Sequence, residues 1–346
     1  MSAPELAVVI PAYCTERRHG SSRLWLALVS LCRQTLPPDR YEIIVVDNGS
    51  EPPVAELLPR WDLADRVRVV TRARSGICGA FNAGIAAARA PLVLLGTDDE
   101  IFGPGALEAH VRHHAGFDQP QVGFGVCYMA YHTEVFHDVT TAEVVPQVRA
   151  RMAGRAESAW LAGALTALGL VERAITPADV ESGFDQLLRL SGKVALFADI
   201  ERTVGSGRCH RLTAGWLAMR LGNHTVPTEA LRAVGGFDEE LDGYGGWLSD
   251  VELGFRLVAH GLAFGLVADA PSINLPHPRG DGYLMGEVPA MAYVINKHRR
   301  MDVALAPLYF QRGYGIASFS RLLATAGAAT GGPAWVAPPA REERVA

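Results

Sequence analysis

Four short runs of apolar, largely β-branched residues, each stopped by turn formers, constrain this chain more than any other feature. They read LAVVIPAY (6 to 13), YEIIVVDNGS (41 to 50), RVRVVTR (66 to 72) and PLVLLGTDD (91 to 99). Between them lie stretches with helical spacing, around Leu24 to Gln34, Val54 to Leu58 and within SGICGAFNAGIAAARA. Strands that are apolar throughout need cover on both faces, so the alternation predicts βαβ units and an α/β fold with a mostly parallel central sheet flanked by helices. Ligands of such sheets bind beyond the carboxyl ends of the strands. Tyr13, Asp47, Asn48, Asp98 and Asp99 all fall at those ends.

The 346 residues leave room for one large domain with an insertion. A net charge of -5 gives no general attraction to nucleic acid. The five cysteines, at 14, 32, 78, 127 and 209, form no CxxC pair and are odd in number, which argues against a disulfide framework or zinc ribbon and for a reducing, cytoplasmic setting. MSAPELAVVIPAY has no basic region ahead of its apolar run, and AWLAGALTALGLV is too short to span a bilayer, so no integral membrane association is expected. From about 133 to 212 the composition turns Ala-, Leu- and Arg-rich, with helical spacing in PADVESGFDQLLRLSGKVALFADIERTV and a helix start at Thr176-Pro177.

Five segments in order, VIPAY, VVDNGS, RSGICGAFNAGIAAA, LLGTDDE and GGFDEELDGYGGWLSDVELGFRL, resemble the family-2 glycosyltransferases of the GT-A fold. The likeness covers roughly the first 130 residues and 212 to 280. It implies a nucleotide-sugar-binding half at 1–130, a helical insertion at 131–212 on the acceptor side, an acceptor-binding and catalytic half at 213–300, and a C-terminal extension at 301–346 with a flexible end.

The resemblance also assigns residues. In VVDNGS, Asp47 matches an acid that contacts the nucleobase of a UDP-sugar; an Asx-turn ahead of Gly49 is the alternative. Pro11, Ala12 and Tyr13 would form the facing wall, or a plain βα loop, and Arg74 matches a basic position near the nucleotide. Gly76, Asn82 and Gly84 match GxxxxxNxG, and the small residues of that helix suit close packing on the sheet.

A departing diphosphate calls for a hard divalent cation, Mn2+ or Mg2+. The family supplies it from an Asp-x-Asp after an apolar strand. Here Gly96 stands at the first acid and Asp98 at the second, so Asp98 is the expected metal ligand, with Asp99 or Glu100 in support, or Asp98 and Glu100 as a slipped pair. His277, after the final strand, would complete the metal shell or sit on the surface.

Inverting transfer needs a carboxylate to take the proton of the attacking hydroxyl. Asp250 matches that base in GGWLSDVELGFRL, while Ser249 replaces the acid before it. Ser249-x-x-Glu252 reads as a capping box, which would put Asp250 in a first helical turn, where negative charge is favoured. Asp238 in GGFDEE and Trp247 would orient acceptor or sugar, Trp247 by stacking on a ring or by lying over the core. Asn223 reads as a turn or a contact, and Lys297 to Arg300 as diphosphate-reaching cations or a solvated helical face.

The implied activity is inverting transfer of a hexose, with glucose as first expectation, from a UDP-sugar to a soluble small acceptor. A natural product of the kind met in antibiotic biosynthesis, a cyclitol or a saccharide would serve. A non-catalytic sugar-nucleotide-binding protein and a nucleotidyltransferase are the alternatives, although VIPAYCTERR lacks the glycine-rich loop of the latter. A dinucleotide dehydrogenase is further away, because no GxGxxG follows the first strand.

Overall fold

The computed structural model describes residues 3–15, 21–117, 119–130, 174–189, 191–207, 209–275 and 286–330. The four apolar runs become strands β1 (Leu6–Ala12), β2 (Tyr41–Asp47), β3 (Val67–Thr71) and β4 (Leu92–Leu95). Helices α1 (Ser22–Cys32), α2 (Val54–Leu57) and α3 (Ile77–Ala87) cross between them, and all three neighbouring strand pairs are parallel. Alternate residues of β1 serve opposite layers. Leu6, Val8 and Ile10 pack with Leu24, Leu28 and Leu31 of α1, whereas Ala7 and Val9 pack with Phe81 and Ile85 of α3. The small residues of α3 do bring it close: a Cβ on Gly84 would fall 2.2 Å from Val9 Cγ1.

Beyond β4 the chain runs through β5 (Glu100–Phe102), α4 (Ala106–Ala115) and β6 (Gln121–Ala130). After residues 131–173, outside the described set, come α5 (Pro177–Ser182), α6 (Phe184–Arg189), the two-residue β7 (Ser191–Gly192) and α7 (Ala195–Gly205). The helix start expected at Thr176-Pro177 is built as a capping box between Thr176 and Asp179. The single helical stretch expected there is instead broken, first at Gly183, whose Cβ would meet Asp179 O at 2.9 Å, and again at β7.

Then follow β8 (His224–Pro227), α8 (Thr228–Ala233), α9 (Ser249–Ala259), β9 (Ala263–Asn274) and the helices α10 (Glu287–His298), α11 (Met301–Ala304), α12 (Ala306–Arg312) and α13 (Ile316–Thr330). The sheet order is β3-β2-β1-β4-β8-β6-β9-β5, with β7 on β6. It is mixed: β8 pairs antiparallel with both β4 and β6, β6 and β9 are parallel, and β5 is antiparallel to β9. The α/β class expected from the sequence stands, with its purely parallel part confined to β1 to β4. Ile316, Phe319 and Leu323 of α13 share a core with Phe81 and Leu253, so residues 301–330 are an integral layer of the domain. Among the described residues no helix is long and apolar enough to cross a membrane.

Candidate active site

At the head of β1 and β2 the chain gathers one of the expected groups of site residues. The Arg74 guanidinium lies 4.1 Å from the centre of the Tyr13 ring and donates to its hydroxyl at 2.6 Å. Two residues far apart in sequence are thereby joined at one edge. Pro11 and Ala12 end β1, where Ala12 O accepts from Asn48 N at 2.9 Å. Asp47, expected to face a nucleobase, is turned into the loop instead. Its oxygens accept from Ser50 N and Val54 N, each at 2.8 Å, and only 2% of the residue is exposed. That carboxylate closes the turn and the start of α2, which is the Asx-turn arrangement. Tyr13 and Arg74 are left as the groups this edge presents.

The acid run is split by the fold. Gly96 N donates to Val9 O and Gly222 N to Leu95 O, so the loop after β4 is stitched between β1 and the approach to β8. Asp98 is half-buried above the head of β1, close enough to Cys14 that, after burial, its charge is the next cause pushing that thiol up. Asp99 is buried. Glu100 is the first residue of β5 and points inward, accepting from Ser272 Oγ at 2.5 Å. Glu100 is buried in the interior, and burial pushes its carboxyl up to about 8. Among the described residues no three His, Cys, Asp or Glu side chains gather as a metal cage. One hard carboxylate at a strand end still fits a Mg2+- or Mn2+-like ion shared with a diphosphate, because such ions take one or two protein carboxylates plus phosphate oxygens. His277 lies outside the described residues.

The second carboxylate centre is built on α9. Left-handed Gly245, Gly246 and Leu248 lead into the helix, and Leu248, not Ser249, is the N-cap. The expected capping box is therefore absent. Glu252 has a stronger claim on it: fully buried, it accepts from Arg256 Nε at 3.0 Å and Nη2 at 2.7 Å, from Lys297 Nζ at 2.7 Å and from His298 Nε2 at 2.9 Å. Burial alone would raise this carboxyl; His298, Arg256 and Lys297 outweigh it and hold it at about 2. Arg256 Nη1 also donates to Val234 O and Gly236 O, both at 2.6 Å, which ties the Gly235-Gly236 turn to the helix.

Asp238 accepts from Lys297 at 2.6 Å and from the Tyr293 hydroxyl at 2.7 Å. Burial would raise its carboxyl, but those bonds keep it below the usual range. Its part is thus to hold α10 against the loop, and Lys297, shared between two carboxylates, is not a diphosphate cation here. Trp247 is half-buried against the core, beside Gly286. Asn223 resolves to structure: 1% exposed, it donates to Ala270 O and Ser272 Oγ, both at 2.8 Å, and accepts from His110 Nε2 at 2.9 Å.

Asp250 differs from these acids. It is half-buried in the first turn of α9, and among the described residues its hydrogen bond is from its own Val251 N to Oδ1 at 2.7 Å. A carboxylate so placed, whose second oxygen has no hydrogen bond among the described residues, is suited to accept a proton from a bound hydroxyl. Sequence reasoning missed Asp242, whose carboxylate reaches across to α3 and accepts from Cys78 N and Gly79 N. No local pattern marks a bond between residues so far apart.

Comparison with known proteins gives consistent matches. Residues 7–140 match the model of the family described as Glycosyl transferase family 2. The chain is 28% identical over 283 residues to a validoxylamine A glucosyltransferase of Streptomyces hygroscopicus subsp. limoneus, covering 80% of this chain and 52% of that one. It is 24% identical over 310 residues to YfnE, an uncharacterised glycosyltransferase of Bacillus subtilis, covering 87% and 73%. The chain thus spans about half the length of the validoxylamine A glucosyltransferases it matches. Among solved structures, the mannosyltransferase PcManGT of Pyrobaculum calidifontis, in complex with GDP-Man and Mn2+, superposes with a TM-score of 0.52 at 16% identity, over 95% of this chain and 76% of that one. At that identity the likeness is one of fold.

Proposed function

We propose, from the premise that this chain belongs to family 2 of the glycosyltransferases, that it moves a hexose from a UDP-sugar to a hydroxyl of a small acceptor with inversion. Asp250 is the observation that carries this reading. Asp238, Asp242 and Glu252 are each committed to neighbouring groups, whereas Asp250, among the described residues, keeps an oxygen available at the start of its helix. The acceptor oxygen loses its proton to Asp250 as it bonds to the anomeric carbon, and the bond from that carbon to the diphosphate oxygen breaks with its electron pair. A divalent ion held by Asp98 and the diphosphate would neutralise the charge of that leaving group. Tyr13 and Arg74 supply an aromatic face and a cation at the edge where the nucleotide would lie. The name of the validoxylamine A relatives supports glucose as the sugar and a natural-product or cyclitol acceptor. The helices of 174–212 would shape the acceptor side.

The test is transfer by the purified chain with UDP-glucose, and with GDP-mannose as the competing nucleotide, toward validoxylamine A and myo-inositol, with and without Mn2+. Asp250→Asn should lower the rate by about 10^3 while UDP-glucose still binds, and Asp98→Ala should remove the dependence on Mn2+. Transfer by Asp250→Asn at the wild-type rate overturns the base. The changes at Gly96 and Ser249 also suit a protein that binds sugar nucleotides without turnover. Binding of UDP-glucose with neither transfer nor hydrolysis would establish that reading instead.

A further inference from the structure

Besides the pairing of β4 with β8, the two halves of the molecule meet at the first turn of α3. Its N-cap is Gly76, which has no side chain to satisfy the opening amides. The carboxylate of Asp242, from the 3-10 turn Glu239–Tyr244, does so from across the site, accepting from Cys78 N at 2.8 Å and Gly79 N at 3.0 Å. The fit leaves no space: a Cβ on Gly76 would fall 2.1 Å from Asp242 Cγ. Two further contacts run beside it. A Cβ on Gly246 would meet Ile77 Cγ2 at 2.4 Å, and the Asn82 amide clamps Phe237, donating to its O at 2.9 Å and accepting from its N at 2.7 Å.

The same turn is gripped from the donor edge. Asn48 accepts from Ser75 N at 3.0 Å and donates to Gly76 O at 3.2 Å, next to the Arg74 that lies on Tyr13. From Asp242 to Asp250 there remains only a short strap, and three of its residues, Gly245, Gly246 and Leu248, are committed to left-handed conformations. Its far end is locked by Glu252 in the Arg256, Lys297 and His298 cluster. Asp242 is thus the near anchor of the segment that carries Asp250.

We propose that Asp242 is a positioning residue for the transfer reaction, its carboxylate on the first turn of α3 fixing where Asp250 stands relative to the donor. The proposal rests on the reading of Asp250 as the base. It also closes the α3 N-terminus to phosphate, since a fixed carboxylate already fills the place an anion would take.

The experiment compares Asp242→Asn and Asp242→Ala with wild type in the UDP-glucose transfer assay, well below each variant's unfolding midpoint. Misplacing a reacting group by about 1 Å costs up to about 100-fold in rate. The Ala variant should therefore lose kcat by about that factor, and the Asn variant, which keeps one acceptor oxygen, by about tenfold. Donor KM should stay within about threefold for both. A merely structural residue would lower the unfolding midpoint and leave kcat of the folded protein at the wild-type value; that result, or equal loss of donor affinity and kcat, overturns the proposal. If Asp242→Ala does not fold, the Asn variant alone decides. Should wild type transfer no sugar, the functional reading fails and this one with it. Should Asp250→Asn be inactive and the Asp242 variants match wild type, only this proposal fails.

Discussion

Strands β1 and β4 are apolar from end to end, whereas the strands on the far side of β4 are threaded by a chain of hydrogen bonds. That chain has one direction. His114 donates to Thr225 Oγ1 at 2.9 Å, Thr225 to His110 Nδ1 at 2.8 Å, His110 to Asn223, Asn223 to Ser272 and Ser272 to Glu100. In the first half, burial alone selects the strand register, because a one-residue slip would exchange two filled apolar layers. In the second half the strands carry polar groups inward, and their geometry is set by which donor meets which acceptor. The same half holds the left-handed Asn223 beside the loop of Asp98.

The contrast can be broken by substitution. Asn223→Leu keeps the branched heavy-atom skeleton but strands His110, Ala270 O and Ser272 without their partner, each at about 1–3 kcal/mol, so urea unfolding should show a loss of about 4 kcal/mol. Leu94→Ala, in the apolar half, leaves a cavity and should cost about 3 kcal/mol. A smaller loss for Asn223→Leu than for Leu94→Ala would mean that the polar chain is incidental.

The smallest effect is one of pH. Burial lowers His110 to about 3 and His114 and His224 to about 4, below the 6.5 of an unfolded chain. Depressed histidines contribute stability that is present above pH 6.5 and lost as pH falls toward their folded values, at up to about 1.4 kcal/mol per pH unit for each proton. Glu100, raised to about 8, acts in the opposite sense over the same window. The net expectation between pH 6.5 and 5 is a fall in unfolding free energy. His110→Gln should flatten it, and an unchanged slope would remove His110 from the account.

The same contrast explains what could be read from the chain. β1 to β4 were legible, each starting within one residue of its run, because continuous apolar runs have one solution in a sheet covered on both faces. β5 and β6 were not. Glu100 looks like part of a loop acid cluster, although it opens a strand that buries it. Ser249-x-x-Glu252 has the local pattern of a capping box, yet Arg256, Lys297 and His298 together bind Glu252 more strongly than one amide would. Asp47 was assigned by likeness to a base contact that its geometry turns inward. The places of Asp98 and Asp250, after a strand end and in the first turn of a helix, are those that their segments led one to expect. Asp242 could not be expected, since its partners are set by tertiary contact alone.

The antiparallel join of β4 to β8 has a consequence for the protein during its synthesis. Leu95 waits for His224, so the open edge of β4 stays uncovered while the intervening residues leave the ribosome. An apolar strand with an unpaired edge is a template for wrong partners. Closing it depends on a distant contact, which makes formation of the sheet slow. The nascent first half of this chain should therefore be a chaperone client until residue 227 has emerged, and fragments ending between residues 95 and 224 should aggregate rather than fold.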